Sequence, residues 1–127
     1  MASPAKINRE PDFLSTLYDE LTRVHKFQLE REPYGGNVDL LVRDPASGKV
    51  VAIELKDAGD YGELPISTII PISKLARQND KFEKFLLLTF SNVPVLLSKK
   101  LEELNVEAMS RPTVKQVVEK VQLALSA

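Results

Sequence analysis

Residues 84–90 read KFLLLTF, an almost unbroken apolar run. A strand with one face in water alternates polar and apolar side chains, whereas a strand covered on both faces does not need to. The run therefore predicts a central strand with helices packed on each side.

The residues before it supply the rest of a sheet. Residues 38–44 (VDLLVRD) and 50–56 (VVAIELK) are strand-like, the second being rich in β-branched side chains. Between them lies Asp44-Pro45-Ala46-Ser47-Gly48, a hairpin-type turn sequence. Residues 27–32 form a further short strand, ended by the turn Pro33-Tyr34-Gly35-Gly36-Asn37. These segments predict an antiparallel meander.

Helices fill the remaining chain. Phe13, Leu17, Glu20 and Val24 recur at helical spacing from Pro11 onward, with Leu14 and Leu21 beside them. A second helix is expected over about 71–79, carrying Ile72, Leu75 and Ala76. Asn92 is placed to cap a third, which tolerates Pro94 in its first turn and runs to about residue 104. Residues 106–109 make a last short strand. Thr113 and Gln116 have capping-box spacing before the stripe Val114, Val118, Val121 and Leu125. The expectation is an α/β fold with a mixed central sheet flanked by helices. The order is helix, three strands, helix, strand, helix, strand, helix. Residues 1–127 are expected to form a single domain, with 1–10 a loose polar lead-in.

Composition narrows the function. The chain has 127 residues, 43% hydrophobic and 28% charged, which excludes a disordered segment. No apolar run reaches the roughly 18 residues of a membrane span, and residues 1–10 lack the apolar stretch of a secretory signal. A cytoplasmic protein without a membrane partner is expected. No cysteine is present, which excludes disulfides, thiolate zinc sites and a cysteine nucleophile; one histidine, His25, excludes a multi-histidine metal site. Net charge is -1, so any nucleic-acid contact must come from a local patch.

Strand alternation gathers the chemistry-bearing residues. Asp39, Leu41 and Arg43 share one face of their strand; Ala52, Glu54 and Lys56 share one face of theirs. Pairing through the Asp44–Gly48 turn sets Asp39 beside Glu54, with Lys56 one step along the same face. Two close carboxylates repel unless a cation lies between them. Mg²⁺ or Mn²⁺ suits such oxygen ligands, and the Leu55 carbonyl is a natural third. Lys56 would then orient a water, lower its pKa or stabilise transition-state charge. The chemistry implied is phosphodiester hydrolysis.

Asp39 followed by Glu54-Leu55-Lys56 at the end of a hydrophobic strand resembles the PD-(D/E)XK superfamily, the restriction-endonuclease-like nucleases. Gly35-Gly36-Asn37-Val38-Asp39-Leu40 resembles that family's approach to its first acidic residue, with Val38 where a proline often stands. An E-x-K tripeptide alone means little; its place one hairpin after an aspartate-bearing strand gives it weight. The resemblance covers about residues 11–110, and small size and a leading helix resemble Holliday-junction-resolvase-like members. It implies a metal-dependent nuclease acting on structured or double-stranded DNA, with a homodimer or a partner protein as associates. It also implies a glutamate on the first helix. Glu20 matches, and it interrupts the apolar stripe, so it is expected to face inward; Glu30 is the weaker alternative. Lys74, Arg77 and Gln78 are all candidates for the family's polar residue on the next helix. The competing function is a catalytically inactive module of the same fold, for DNA binding or protein assembly.

Other residues read as structural. His25 suits a helix end. Tyr34 and Tyr61 flank the site in loops, where tyrosines pack more often than they stack on bases. Lys81, Lys84, Lys99 and Lys100 are mostly matched by Asp80, Glu83, Glu102 and Glu103 nearby. The stripe from Val114 to Leu125 is read as core.

Overall fold

The structure is a computed structural model that describes residues 4–31, 39–58, 62–78 and 82–126. Its first helix, α1 (Pro4–Asp19), continues into a π-helical turn, Glu20–Val24. The meander follows as β1 (Gln28–Arg31), β2 (Leu40–Arg43) and β3 (Val50–Leu55). A 3₁₀ turn, Ile66–Thr68, leads into α2 (Ile69–Gln78). Then come β4 (Lys84–Thr89), α3 (Val95–Glu103), β5 (Val106–Ser110) and α4 (Val114–Ser126).

The five strands lie in the order β1-β2-β3-β4-β5. β1, β2 and β3 are antiparallel; β3, β4 and β5 are parallel, joined through α2 and α3. The sheet is therefore mixed, as the element order predicts. The hairpin turn works through its own polar groups. Oδ1 of Asp44 accepts from the Ala46 N–H at 3.0 Å, and the Asp44 carbonyl accepts from the Gly48 N–H at 2.8 Å. Gly48 takes φ 76°, a conformation that suits glycine.

Alternation divides the core in two. Leu40, Val42, Val51, Ile53, Leu55, Leu86 and Leu88 face α1 and α4, meeting Leu17, Leu21, Val117, Val118 and Val121. Leu41, Ala52, Phe85 and Leu87 face α2 and α3, meeting Ile72, Leu75, Leu97 and Leu101. The run in β4 is buried on both faces, with Leu86, Leu87 and Leu88 each fully shielded.

Several expectations need correction. α1 begins at Pro4, so residues 4–10 are helical, not a loose lead-in. The third helix is preceded by Pro94, which makes no side-chain cap; Asn92 instead accepts from Arg111. Val24 is 60% exposed, because the core-facing positions of the first helical segment are Leu17 and Leu21. Lys84 pairs with Glu107 at 2.9 Å across the sheet, not with Glu83. The capping box forms: Thr113 Oγ1 accepts from the Gln116 N–H at 3.1 Å, and Gln116 Oε1 accepts from the Thr113 N–H at 2.9 Å. Tyr34, Tyr61, Lys81, Asp80 and the glycine-containing approach to Asp39 lie outside the described residues.

Candidate active site

The β2–β3 register builds the site. Leu40 pairs with Ile53, and one further step of the antiparallel ladder sets Asp39 opposite Glu54. The main chain fixes both carboxylates. The Asp39 N–H donates to Oε1 of Glu54 at 3.0 Å, and the Leu55 N–H donates to Oδ2 of Asp39 at 2.6 Å. Each carboxylate thus holds the strand that carries the other.

Glu54 is 5% exposed, a charged side chain in a strand otherwise made of VVAIL-type residues. Burial, followed by the negative charge of Asp39, raises its pKa to about 7; Lys56 and the Asp39 N–H act in the opposite direction but do not cancel the rise. Lys56 Nζ lies 3.5 Å from Oε2 of Glu54, and its side chain is 42% exposed, so one end of this pair reaches solvent. Leu55 turns its N–H towards Asp39, and in an extended strand the carbonyl of the same residue points to that same edge.

This donor set fits a hard divalent ion. It offers carboxylate oxygens and a backbone carbonyl, with no nitrogen or sulfur ligand. Among the described residues nothing donates to Oδ1 of Asp39.

A second polar group supports the segment after Glu54. The Lys56 N–H donates to the Leu88 carbonyl at 3.0 Å, which keeps it on the β4 ladder. Ser91 is fully buried; its hydroxyl donates to Oδ1 of Asp57 at 2.7 Å and accepts from the Ala58 N–H at 2.7 Å. Its own N–H donates to Thr89 Oγ1, and its carbonyl accepts from the Ser110 hydroxyl. Ser91 stands outside the periodic segments of the sequence. Its only signal was a polar Ser-Asn pair directly after an apolar strand.

The structure does not bring every candidate together. Glu20 is half-buried and lines a groove with Thr16, Asp19, Arg23, Val24 and Lys26, a set that includes neither Asp39 nor Glu54. Among the described residues no group of three or more acid, histidine or cysteine side chains is poised to hold a metal. Glu30 is exposed on β1, opposite Leu41 and so on the Asp39 side of the sheet. Lys74 and Arg77 are exposed on α2, and no hydrogen bond or ion pair joins either to Asp39 or Glu54; the side chain of Gln78 lies outside the described residues. His25 closes the π-helical turn, bonds Gln122 at 3.0 Å and stacks on Phe27, which is a packing role.

No family model and no curated protein matches the sequence. Solved structures do match its shape. The DNA modification-dependent restriction endonuclease AspBHI superposes with a TM-score of 0.51 at 17% identity, over 94% of this chain and 33% of that one. A protein of unknown function superposes with a TM-score of 0.52 at 14% identity, over 87% of this chain and 66% of that one. A repair endonuclease from Pyrococcus abyssi gives 0.49 at 22% identity, over 81% and 48%. The chain thus spans between a third and two-thirds of the length of these structures. Among the described residues no helix is long and apolar enough to cross a membrane. The mixed sheet, its flanking helices and the superposition on the restriction endonuclease identify the fold as restriction-endonuclease-like.

Proposed function

We propose that the chain is a divalent-metal-dependent nuclease that hydrolyses phosphodiester bonds of structured or double-stranded DNA. The observation that carries this reading is the Asp39–Glu54 pair at the carboxyl end of β3, its Glu54 buried and its Asp39 half-buried, with Lys56 at its solvent side. Open α/β sheets bind ligands at the carboxyl ends of their strands, which is where this pair stands. The likeness to a restriction endonuclease that acts on DNA supports the choice of substrate.

Asp39 and Glu54, with the Leu55 carbonyl, would hold Mg²⁺ or Mn²⁺. The ion, when bound, supplies charge neutralisation and Lewis acidity at the scissile phosphate. The reciprocal bonds from the Asp39 and Leu55 N–H groups hold one oxygen of each carboxylate against the opposite strand. Lys56 extends past Glu54 into solvent and stabilises the negative charge that builds on the phosphoryl oxygens. A water oxygen bonds to phosphorus, the bond to the sugar oxygen breaks, and that oxygen takes up a proton while the attacking water loses one. Cutting both strands of a duplex needs two such sites, and a homodimer supplies them.

The decisive assay offers single-stranded, duplex and four-way-junction DNA with Mn²⁺ or Mg²⁺, comparing wild type with Asp39→Ala. Metal-dependent cutting that vanishes in the variant supports the reading. Cutting that survives places the activity elsewhere. One observation favours the inactive-module alternative: among the described residues no third acid joins the pair. Absence of cutting on every substrate, with intact folding, favours that alternative.

A further inference from the structure

A guanidinium is fixed at the same end of the sheet as the carboxylate pair. Arg111 follows Ser110, the last residue of β5. The registers Leu55↔Leu88 and Leu88↔Met109 align the ends of β3, β4 and β5. Arg111 therefore stands one residue beyond the rung of Lys56 and two strand spacings, about 10 Å, to its side.

Its backbone is in the left-handed region, with φ 51°, which residues other than glycine, asparagine and aspartate seldom occupy. The Arg111 N–H donates to the Thr89 carbonyl at 2.7 Å, which fixes this reversal. Strain of this kind gathers at functional sites. The side chain is held as well: Nη1 donates to Oδ1 of Asn92 at 3.0 Å. Asn92 is itself pinned, its N–H to the Gly62 carbonyl and its carbonyl to the Leu64 N–H.

The holding group is a neutral amide. Arg23 pairs with Asp19, Lys56 with Glu54, and Lys84 and Lys120 with Glu107. Among the described residues no carboxylate lies within ion-pair distance of Arg111. Asn92 orients the exposed guanidinium through Nη1 alone and, being a neutral amide, brings no opposing charge to it. A planar cation so placed fits a phosphate.

We propose that Arg111 binds a DNA backbone phosphate within about three nucleotides of the scissile one, and so sets the register of the strand over Asp39, Glu54 and Lys56. This rests on the nuclease reading above.

The test is a fluorescence-anisotropy titration of the full chain with labelled duplex DNA in EDTA, where no cutting occurs, at several salt concentrations. Glycine adopts φ above zero freely, so Arg111→Gly removes the side chain while relieving the backbone. Arg111→Asn, which also tolerates this conformation, is the second variant. Both should bind about tenfold more weakly and lower the salt slope by about one unit, with unfolding temperatures equal to wild type or above it. Arg111→Lys should keep the slope but not the full affinity. Cleavage by Arg111→Gly should show raised KM with kcat little changed. Wild-type affinity and slope in both variants overturn the proposal and leave the nuclease reading standing. A wild-type chain that binds no duplex at low salt overturns both.

Discussion

Asp39 and Glu54 are cross-braced through the main chain: the Asp39 N–H binds the Glu54 carboxylate, and the N–H next after Glu54 binds the Asp39 carboxylate. The arrangement brings two acids together and makes Glu54 hard to ionise. Burial and the neighbouring negative charge hold Glu54 near pH 7, so proton uptake and any cation compete for the same oxygens.

The first consequence is for stability. Glu54 titrates near 4.5 when unfolded and about 7 when folded. Between those values the native chain holds a proton that the unfolded chain has released, so stability falls as pH rises. The contribution is fully present below pH 4.5 and lost on passing through 7, by about 3 kcal/mol. Glu54→Gln keeps an acceptor for the Asp39 N–H and cannot ionise. Urea unfolding at pH 5 and pH 8 should show a loss in wild type that the variant lacks. Parallel behaviour of the two proteins would sink this account of Glu54.

Metal addition should reverse that loss. A divalent ion favours the ionised carboxylate, so protons displace it as pH falls below 7. Thermal unfolding with Mn²⁺ should therefore show a larger upward shift at pH 8 than at pH 6. Glu54→Gln and Asp39→Asn should abolish the shift. An equal Mn²⁺ effect in these variants and in wild type would move the ion to another place.

Much of this site was legible in the sequence, for a physical reason. Strand alternation is a strict period of two, and a five-residue turn leaves little freedom of register, so Asp39, Glu54 and Lys56 had to share a face. The KFLLLTF run placed β4 at the centre in the same way. Helical phase is less strict. The π-helical turn at Glu20–Val24 breaks the 3.6-residue period, which exposes Val24 and leaves Glu20 lining a groove. Pairings across elements were also illegible: Lys84 finds Glu107 on the neighbouring strand, although Glu83 is adjacent in sequence. The buried Ser91 and the left-handed Arg111 carry no periodic signal, because loops after strand ends obey none.

Lys56 should act on rate more than on folding. Its side chain is half-exposed, and it is the cation that opposes the rise in the Glu54 pKa. Lys56→Ala should lower kcat by about 10²–10³-fold, the range for loss of one charge-stabilising group. Removing its charge also pushes the Glu54 pKa higher, so the rising limb of the pH–rate profile should move to higher pH. Lys56→Arg should restore the profile more than the rate, since a guanidinium keeps the charge and changes its geometry. An unchanged pH profile in Lys56→Ala would separate Lys56 from Glu54 in function.

Glu20 gives the opposite expectation. It is half-buried beside Asp19, Arg23 and Lys26, along the groove formed by its own helical turn. Its backbone carbonyl accepts from the His25 N–H at 3.2 Å, a bond that no side-chain substitution removes. Glu20→Ala should therefore keep the fold, with a stability change within about 0.5 kcal/mol, as surface substitutions usually do. Cleavage should stay within about twofold of wild type, because the groove that Glu20 lines includes neither Asp39 nor Glu54. The measurement is initial cleavage rate against Mn²⁺ concentration for Glu20→Ala and Asp39→Ala side by side. A hundredfold loss in the Glu20 variant, with a raised metal requirement and an intact unfolding temperature, would restore it to the metal site and require α1 to approach the sheet end when DNA binds. A rate near wild type, beside an inactive Asp39→Ala, confines the chemistry to the strand-borne residues Asp39, Glu54 and Lys56.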